Sequence, residues 1–305
     1  MLFWRLIKIN TNETMIEKIK SLSYYYSGLF FPRFTAYFWF YRRFHRLMNL
    51  RNPRDLNEKI NWLKFESDTS EWVKLADKFR VREYVKEAGL EQTLPRLIAS
   101  WDSPETINLD NIPKPYVLKM NNGSGDVLIV DEKSSISTEM AIKHFKPLFK
   151  EKFGYRTAEL HYTKMLPLVI AEEMIPNDLP ESKSIVDYKY WCFDGKPMYI
   201  MVFTNRNKHG ADIMLYDLEW NAHPEYCHFN AHYHKAEIVA KPPHLQEMIE
   251  IARKLALNHP CVRIDLYDTN RQVYFGEMTF TSAGGYMDYF TPEFLELTGS
   301  MVSLK

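Results

Sequence analysis

The sequence predicts an α+β protein in which strand hairpins stand beside amphipathic helices. Three stretches are predicted as hairpins, because apolar and polar residues alternate along them and turn residues interrupt them: 116–130, 185–204 and 262–280. Apolar residues recur at helical spacing in 138–152 and 243–258. With 305 residues, the chain is long enough for one large or two medium domains, each with its own core.

The first 65 residues are basic and rich in aromatic side chains. They hold 12 Lys and Arg against 4 Asp and Glu, while the remainder of the chain holds 27 against 35. Within them, residues 24–46 place aromatic rings beside arginines, a composition that suits a membrane interface. The same residues can instead pack a helical N-terminal subdomain onto the main body. We favour packing, because Pro32 interrupts the helical pattern.

Two helices are predicted after this region. A short helix lies within 50–65, where Asn52 or Asp55 is suited to be its N-cap. Residues 71–88 show a helical period of apolar residues and are followed by Gly89, so one longer helix is predicted there.

The stretch 116–130, YVLKMNNGSGDVLIV, is predicted as a strand, a glycine-rich loop and a second strand. Lys119 shares a strand face with Val117, so its ammonium projects from the sheet immediately before the loop. The loop 121–125 can turn successive backbone N–H groups toward an anion, and its glycines let a phosphate approach closely. It is not a P-loop, because the GK[ST] ending is absent and a strand follows. The alternative is a plain hairpin with a flexible turn.

Two further strands carry charged residues. The apolar strand 167–175 runs into Glu172 and Glu173, and because neighbours on a strand point oppositely, only one of them can face a given site. The end of this strand leaves backbone groups of the kind that commonly bind adenine. In the hairpin 185–204, Lys189 shares a strand face with aromatic residues. The commoner explanation of such a lysine is that its long side chain packs along the rings while its ammonium reaches water.

The last hairpin brings acidic residues together. Arg263 and Asp265 share one face of its first strand. On the second strand, Glu277 and Thr279 share a face with the apolar residues Val273 and Phe275. A three-residue loop, 269–271, puts Asp265 and Glu277 on one face as diagonal neighbours, with Arg263 opposite Glu277. A loop with an even number of residues puts Asp265 and Glu277 on opposite faces. Two carboxylates on one face can bind Mg²⁺, whereas the alternative is an ordinary hairpin with a surface ion pair between Arg263 and Asp265.

Other features limit the classes of protein and site. Cys192, Cys227 and Cys261 are far apart and form no CxxC motif, which indicates a reducing compartment. The first ten residues have too short and too charged an apolar run for a signal peptide, and no run of 18 uncharged apolar residues predicts a membrane span. The Cys and His residues in 223–234 match no zinc-finger spacing, and no motif predicts nucleic-acid binding.

The order of these parts resembles the ATP-grasp superfamily of carboxylate–amine ligases, most closely the subgroup called TupA-like, which is found in bacterial polysaccharide gene clusters. The resemblance extends from about Asn52 to the C-terminus. The segments that carry it are LADKFRVREYV at 75–85, YVLKMNNGSG at 116–125, IAEEMI at 170–175, DYKYWCFDGKP at 187–197, VRIDLYD at 262–268 and YFGEMTFTSAGG at 274–285.

The resemblance implies an ATP-grasp fold, in which two α+β subdomains clasp ATP, with a helical N-terminal extension. It implies parts at 1–72, 73–175 and 176–305. In this fold Lys119 is expected on the α- and β-phosphates, the loop 121–125 as a lid, and residues 172–175 as the adenine hinge. The ATP contacts it implies are Lys78, Lys119, Asn121, Gly123, Ser124, Gly125, Glu172, Glu173, Met174, Ile175 and Lys189.

The resemblance also implies the metal ligands. Asp265 and Glu277 are expected to bind Mg²⁺, and Thr279 stands where the wider superfamily has an asparagine. A threonine hydroxyl can still coordinate, with one metal site weakened. Arg263 and Lys119 are the expected catalytic residues, and Arg263 is expected to contact the transferring phosphoryl group or the acyl phosphate.

The implied activity is an ATP- and Mg²⁺-dependent carboxylate–amine ligation in bacterial cell-surface polysaccharide biosynthesis, joining an amino acid to a uronic acid by an amide bond. The implied partners are ATP, an acidic glycan or lipid-linked saccharide precursor and an amino acid. Peripheral membrane contact through residues 24–46 stays open as the alternative to packing, and no nucleic-acid partner is expected. The implied location is cytoplasmic, at the inner face of the membrane. The alternatives are a sugar kinase or other polysaccharide-modifying transferase of the same fold, and a non-catalytic scaffold that binds nucleotide or glycan.

Overall fold

The structure is a computed structural model that describes residues 15–123, 125, 127–178, 182–207 and 209–304. The first ten residues, assessed above for a signal peptide, and Ser124 lie outside the described residues. Within the described ranges, no helix has the length and apolar character needed to cross a membrane.

The chain divides into two compact units, each assembled from several segments. Unit 1 comprises Met1–Leu47, Thr69–Phe79 and Arg96–Met174, and unit 2 comprises Met48–Asp68, Arg80–Pro95 and Ile175–Lys305. The three-part division predicted from the sequence stays a prediction.

Helices and hairpins alternate along the described residues as the sequence predicts. The helices are α1 (Met15–Phe30), α2 (Pro32–Phe44), α3 (Leu56–Glu66), α4 (Ser70–Leu75), α5 (Val81–Glu87), α6 (Thr138–Lys150), α7 (Leu160–Thr163), α8 (Leu245–Ala256) and α9 (Pro292–Ser300). The strands are β1 (Leu97–Trp101), β2 (Tyr116–Met120), β3 (Val127–Val130), β4 (Val169–Glu173), β5 (Asp187–Phe193), β6 (Lys196–Asn207), β7 (Gly210–Tyr216), β8 (Tyr233–Lys235), β9 (Cys261–Asp268) and β10 (Val273–Thr279). The predicted α+β class and the three predicted hairpins are confirmed.

Unit 1 is built on an antiparallel sheet with the strand order β1-β4-β2-β3. Alternation along β2 buries Leu118 completely and leaves Lys119 half-buried on the opposite face. Helix α6 contributes Ala141 and Phe145 to the same core as Leu118. One face of the sheet is therefore apolar and packed, and the other carries Lys119.

Helices α1 and α2 pack onto unit 1 through one face each. Pro32 takes the first turn of α2, where its missing N–H costs nothing, so the helical pattern restarts there. The inner face of α2 buries Ala36, Trp39 and Phe40, and Trp39 donates a hydrogen bond of 2.8 Å to the carbonyl of Arg156. The predicted packing role of this region is confirmed for its inner face.

The prediction of one helix over 71–88 is wrong. Helix α4 ends at Leu75, and α5 begins only at Val81. The Asp77 carboxylate accepts hydrogen bonds from the Phe79 N–H at 2.9 Å and from Asn121 Nδ2 at 2.7 Å. An aspartate that bonds to nearby backbone in this way competes with the helix, and here a partner from a distant strand end holds it in place.

Unit 2 is built on a sheet with the strand order β10-β9-β5-β6-β7-β8, antiparallel except between β7 and β8. The predicted Asp194-Gly195 turn joins β5 to β6. Helix α8 buries its apolar stripe, including Met248, Ala252 and Leu255, against strands β5, β6 and β9. That helix covers one face of the sheet, so the opposite face is the one with room for polar residues.

Helix α3 of unit 2 begins at Asp55, whose side chain accepts a hydrogen bond from the Glu58 N–H, so this predicted cap is confirmed. Three buried polar residues of α3, Asn57, Asn61 and Lys64, donate hydrogen bonds to backbone carbonyls of the loop 284–287. The loop that follows β10 is therefore held by a helix from near the start of the unit.

The turn between β9 and β10 spans four residues, 269–272, so the predicted three-residue loop is wrong. An even turn alone would put Asp265 and Glu277 on opposite faces. However, the register shifts by one residue between Phe275 and Glu277, which is a β-bulge at Gly276. Beyond the bulge, Glu277 pairs directly with Asp265, so the two carboxylates share a face after all.

The bulge also corrects two details of the predicted register. Thr279, and not Glu277, lies opposite Arg263. Phe275, which precedes the bulge, pairs with Leu266 and faces the core, so the prediction that Val273 and Phe275 share a face with Glu277 is wrong.

Candidate functional site

The face of the unit 2 sheet opposite α8 carries a cluster of charged and polar side chains. Strand β5 pairs with β9 so that Lys189 lies opposite Asp265, and β10 pairs with β9 so that Glu277 does too. Residues directly opposite each other in antiparallel strands share a face. The cluster consists of Asp187, Lys189, Arg206, Arg263, Asp265, Glu277 and Thr279.

Arg263 joins the two carboxylates of the hairpin. Its Nε lies 2.6 Å from Asp265 Oδ1 and its Nη2 lies 2.7 Å from Asp265 Oδ2, a bidentate contact. The same Nη2 lies 3.2 Å from Glu277 Oε1 and 3.1 Å from Thr279 Oγ1. Burial alone would lower the pKa of Arg263, but the Asp265 carboxylate raises it well above its ordinary value, so the guanidinium stays charged. The ion pair of the alternative interpretation is formed, but it is buried.

Lys189 bridges two buried carboxylates. Its Nζ lies 2.5 Å from Asp265 Oδ2 and 2.7 Å from Asp187 Oδ2. Arg206 Nη2 also contacts Asp187 Oδ2, at 2.9 Å. Burial raises the pKa of the Asp187 carboxyl, but Lys189 and Arg206 lower it further, so it lies below its ordinary value and the group is ionised.

Asp187 and Arg206 are members of the cluster that the sequence prediction missed. Strand alternation gives a signal for Asp187, because it stands two residues before Lys189 and shares its face. No comparable signal exists for Arg206, which lies within the register shift between Thr204 and Asn207 in β6.

The oxygen donors of the cluster fit a magnesium ion held jointly with a nucleotide. Mg²⁺ is usually bound through one or two carboxylates, with phosphates and water as the other ligands. Asp265 and Glu277 supply carboxylates on one face, and Asp187 Oδ1 is a buried carboxylate oxygen without a hydrogen-bond partner among the described residues. In the described part of the chain, no group of three or more His, Cys, Asp or Glu side chains is arranged to hold a metal by itself.

The polar face of the unit 1 sheet carries a second charged pair. Lys119 Nζ lies 2.6 Å from Glu172 Oε2, because β2 and β4 pair with Val117 opposite Glu172. Glu173 points the other way and accepts a hydrogen bond of 2.8 Å from the Arg96 N–H. Of the two adjacent acids, Glu172 is therefore the one that shares a face with Lys119, an arrangement that sequence alternation alone left open.

Lys78 and Lys119 line one small hollow with the glycine-rich loop. The hollow is lined by Lys78, Lys119, Met120, Asn122, Gly123, Gly125 and Val127. Lys78 Nζ donates a hydrogen bond of 2.8 Å to the carbonyl of Gly123, whose φ of +97° suits glycine. Two lysines beside a loop of this kind make a cationic pocket suited to phosphates.

Asn121 is engaged by the protein itself. Its Nδ2 donates to Asp77 Oδ2 and to the Leu166 carbonyl, and its Oδ1 accepts from the Leu168 N–H at 2.7 Å. Its side chain is fully buried and fixes the start of the loop. Its predicted contact with ATP stays a prediction, as does that of Ser124, which is not among the described residues.

The predicted adenine hinge follows the end of β4 at Glu173. Met174 is the last residue of its segment in unit 1, and Ile175 is the first residue of the next segment in unit 2. The contact of this segment with adenine stays a prediction.

A family model described as TupA-like ATPgrasp matches residues 58–303. A search of proteins of curated function found no match.

Among solved structures, D-alanine–D-alanine ligase from Bacillus anthracis in complex with ATP is 19% identical, with a TM-score of 0.39, and the match covers 68% of this chain and 55% of that one. The ligase of the same name from Helicobacter pylori is 13% identical, with a TM-score of 0.45, over 82% of this chain and 70% of that one. A RimK domain ATP-grasp protein from Sphaerobacter thermophilus is 12% identical, with a TM-score of 0.37, over 74% and 65%. The chain thus spans little more than half the length of the first of these structures. Because the family model matches most of the sequence, the chain belongs to the TupA-like ATP-grasp family, which confirms the predicted ATP-grasp fold.

Proposed function

We propose that this protein is an ATP- and Mg²⁺-dependent carboxylate–amine ligase. The observation that carries the proposal is the direct pairing of Asp265 and Glu277 on one sheet face, with Arg263 in contact with both carboxylates. A cluster of carboxylates and cations without a nucleophile and base pair suits phosphoryl transfer, in which the protein positions groups and neutralises charge.

The proposed reaction has two steps. A substrate carboxylate oxygen attacks the γ-phosphorus of ATP, so a P–O bond forms, the bond to the β-phosphate oxygen breaks and ADP leaves. An amine nitrogen then attacks the carbonyl carbon of the acyl phosphate, a C–N bond forms, inorganic phosphate leaves and the amine releases a proton. The first step is needed because a carboxylate is a poor electrophile at neutral pH.

The residues of each unit have distinct roles in this proposal. Lys119 and Lys78 bind nucleotide phosphates beside the loop 121–125, and Glu172 holds the Lys119 ammonium in place. Arg263, which Asp265 keeps charged despite burial, neutralises the phosphoryl group during transfer. Lys189 adds positive charge in the same cluster.

Asp265 and Glu277, with the Thr279 hydroxyl as a further donor, would hold Mg²⁺, which would supply charge neutralisation on the phosphates. Both oxygens of Asp265 accept hydrogen bonds from Arg263 and Lys189 in this structure. We therefore expect Glu277, which is partly exposed, to be the more accessible ligand.

We further propose that the acid substrate is a uronic acid of a bacterial cell-surface glycan or its lipid-linked precursor, and that the amine is an amino acid. The support for this is the TupA-like family match and the excess of positive charge in the first 65 residues, which suits an acidic polymer. We place the reaction in the cytoplasm, since the described cysteines, Cys192, Cys227 and Cys261, are buried free thiols.

The test of the reaction type is hydroxylamine trapping. Purified protein is incubated with Mg-ATP, hydroxylamine and uronic-acid oligosaccharides, and ADP and hydroxamate are measured. A ligase forms both, because hydroxylamine intercepts acyl phosphates. A sugar kinase releases ADP without hydroxamate, and a binding scaffold releases neither.

Matched variants test the residue assignment. Asp265→Asn and Glu277→Gln are expected to reduce ADP release by more than about 100-fold, the scale seen when one charge-stabilising group is removed from an active site. Asp102→Asn, a substitution of an exposed residue, is the control. Unchanged turnover in Asp265→Asn would remove the metal assignment. Mass spectrometry of the surface polysaccharide with and without the gene then tests the substrates, since an amide-linked amino acid adds one residue mass.

A further inference from the structure

Helices α1 and α2 and the residue between them expose many large hydrophobic side chains, a set that we name the α1–α2 outer face. Its members are large hydrophobic side chains that remain exposed after the inner face has packed: Ile19, Leu22, Tyr26, Leu29, Phe30, Phe31, Phe34, Phe38 and Tyr41. Seventeen large hydrophobic side chains are exposed in the described part of the chain, and nine of them fall within these 23 residues. Such a concentration of exposed apolar side chains in one short segment indicates an interaction site.

The outer face follows the geometry of the helices. Leu22, Tyr26 and Leu29 recur at helical spacing on α1, and Phe34, Phe38 and Tyr41 do so on α2. Each set therefore forms one stripe along its helix. Three phenylalanines at or next to the junction of the two helices, Phe30, Phe31 and Phe34, are 66%, 66% and 65% exposed.

The outer face is not an unfinished core of unit 1. The opposite side of α2 is already buried through Ala36, Trp39 and Phe40. Gly28 on α1 approaches the backbone of Tyr155 so closely that a β-carbon there would lie 1.6 Å from its carbonyl oxygen. The inner faces of α1 and α2 are thus already packed against other residues, and the side chains of the outer face remain exposed.

The segment that carries the outer face is strongly basic. Residues 19–54 hold seven Lys and Arg and no Asp or Glu, although the whole chain has a formal net charge of zero. The exposed members of this set include Lys20, Arg33, Arg42 and Arg46. Exposed aromatic and basic side chains together are complementary to a partner that has an apolar interior and an anionic surface.

We propose that the α1–α2 outer face docks on an anionic lipid bilayer, with its aromatic side chains at the boundary between headgroups and acyl chains and its basic side chains on lipid phosphates. Amphipathic helices with aromatic apolar faces and Lys or Arg on the rim bind membranes in this way without crossing them. A second copy of the chain fits less well, because a two-fold contact places the same basic surface against itself. The inference is independent of the proposed catalytic activity.

Vesicle sedimentation tests the proposal without any substrate. The full chain is mixed with vesicles of phosphatidylcholine alone, or of phosphatidylcholine mixed with the anionic lipid phosphatidylglycerol, which attracts basic segments. We expect sedimentation with the anionic vesicles only, and a loss of about tenfold or more in affinity when salt is raised from about 0.1 to 0.5 M, because charge attraction is screened. Absence of binding, or equal binding to neutral vesicles, would overturn the proposal.

Two sets of variants separate the apolar and charged contributions. Phe30→Ser with Phe31→Ser and Phe34→Ser is expected to weaken binding to anionic vesicles by about tenfold or more, since each aromatic side chain loses its interfacial contact. The matched control replaces three exposed apolar residues outside the outer face: Leu166→Ser, Ile238→Ser and Leu257→Ser. Equal binding by wild type, variant and control would overturn the assignment to this face.

The charged set is Arg33→Gln, Arg42→Gln and Arg46→Gln, for which about fivefold weaker binding per residue is expected near an anionic surface. Its control is the exposed set Lys133→Gln, Lys196→Gln and Lys241→Gln. Thermal unfolding shows whether each variant is folded. If a variant is unfolded, the dependence of wild-type binding on lipid charge and salt still tests the proposal. A wild-type dimer that the triple-serine variant converts to monomer would assign the face to a second copy and overturn the proposal.

Discussion

Among the residues that the structure describes, Lys189 is the one side chain that forms ion pairs with both Asp187 and Asp265, two buried carboxylates. We expect Lys189→Met to lower the free energy of unfolding by roughly 3–5 kcal/mol at pH 7, because removing one partner of a buried ion pair leaves uncompensated charge. Urea unfolding measures the change. The control is Lys196→Met, in which an exposed lysine is replaced and little change is expected. A loss under about 1 kcal/mol would mean that Arg206 and Arg263 suffice to compensate both carboxylates.

His223 gives a prediction about pH. Partial burial lowers its pKa, but hydrogen bonds with Glu225 and Asp217 raise it more, so the pKa in the folded protein lies above its ordinary value. A raised pKa means that the charged imidazolium stabilises the folded state below pH 6.5, and that this contribution is lost as the pH rises through the folded-state pKa.

We therefore expect wild type to exceed His223→Gln in free energy of unfolding at pH 5.5, by under about 1 kcal/mol because the pair is near the surface, and the difference to vanish by pH 8.5. Chemical unfolding at the two pH values measures it. Glu225→Gln removes one partner and should shrink the pH dependence. A difference that grows with pH would contradict the assignment.

At the scale of elements, the β9–β10 hairpin depends on one glycine. A β-carbon at Gly276 would lie 2.9 Å from Tyr267 Cε2 and 3.0 Å from the Asp265 carbonyl oxygen. We expect Gly276→Ala to cost about 1–3 kcal/mol of stability through overpacking, and to lower ATP turnover more than stability alone explains, because the bulge sets the direction of Glu277.

The double variant Gly276→Ala with Tyr267→Ala separates the two contacts. If only the ring is crowded, the second substitution restores turnover, whereas crowding of the Asp265 carbonyl leaves it low. Urea unfolding and ADP release measure both quantities. Full activity in Gly276→Ala would show that the position of Glu277 tolerates a regular strand.

The hairpin also shows how far sequence reasoning reaches. Alternation along a strand correctly puts Arg263 and Asp265 on one face, since that periodicity is local. The face of Glu277 depends on turn length plus bulge, and a bulge has no reliable signal in one sequence. The predicted outcome, two carboxylates on one face, is confirmed, although the predicted three-residue loop is wrong.

Other differences arise from contacts between distant parts of the chain. Lys119 and Glu172 meet because β2 pairs with β4, a strand order that no local pattern states. The helix predicted over 71–88 is interrupted by Asp77, whose partner Asn121 lies 44 residues away. The spacing of apolar residues reflects only the local sequence. It therefore cannot predict a hydrogen bond to a distant residue that ends the helix.

At the scale of the whole molecule, the family match runs from residue 58 to residue 303 and so includes segments of both units. The proposed phosphate-binding residues belong to unit 1 and the proposed metal ligands to unit 2. If both sets serve one Mg-nucleotide, losing either set must weaken the same binding event. This consequence separates one shared site from two unrelated charged clusters.

Ligand-induced stabilisation measures that consequence. Mg-ATP at about 100 times its dissociation constant should add about 2.7 kcal/mol to the free energy of unfolding, which raises the melting temperature by roughly 5 °C in a protein of this size. EDTA should remove most of the shift, because the phosphates then lack the metal. Lys119→Met in unit 1 and Asp265→Asn in unit 2 should each abolish most of it. Lys133→Met and Asp102→Asn, both at exposed positions, should leave it unchanged. A full shift in Asp265→Asn with none in Lys119→Met would mean that the nucleotide binds unit 1 without the carboxylates of unit 2.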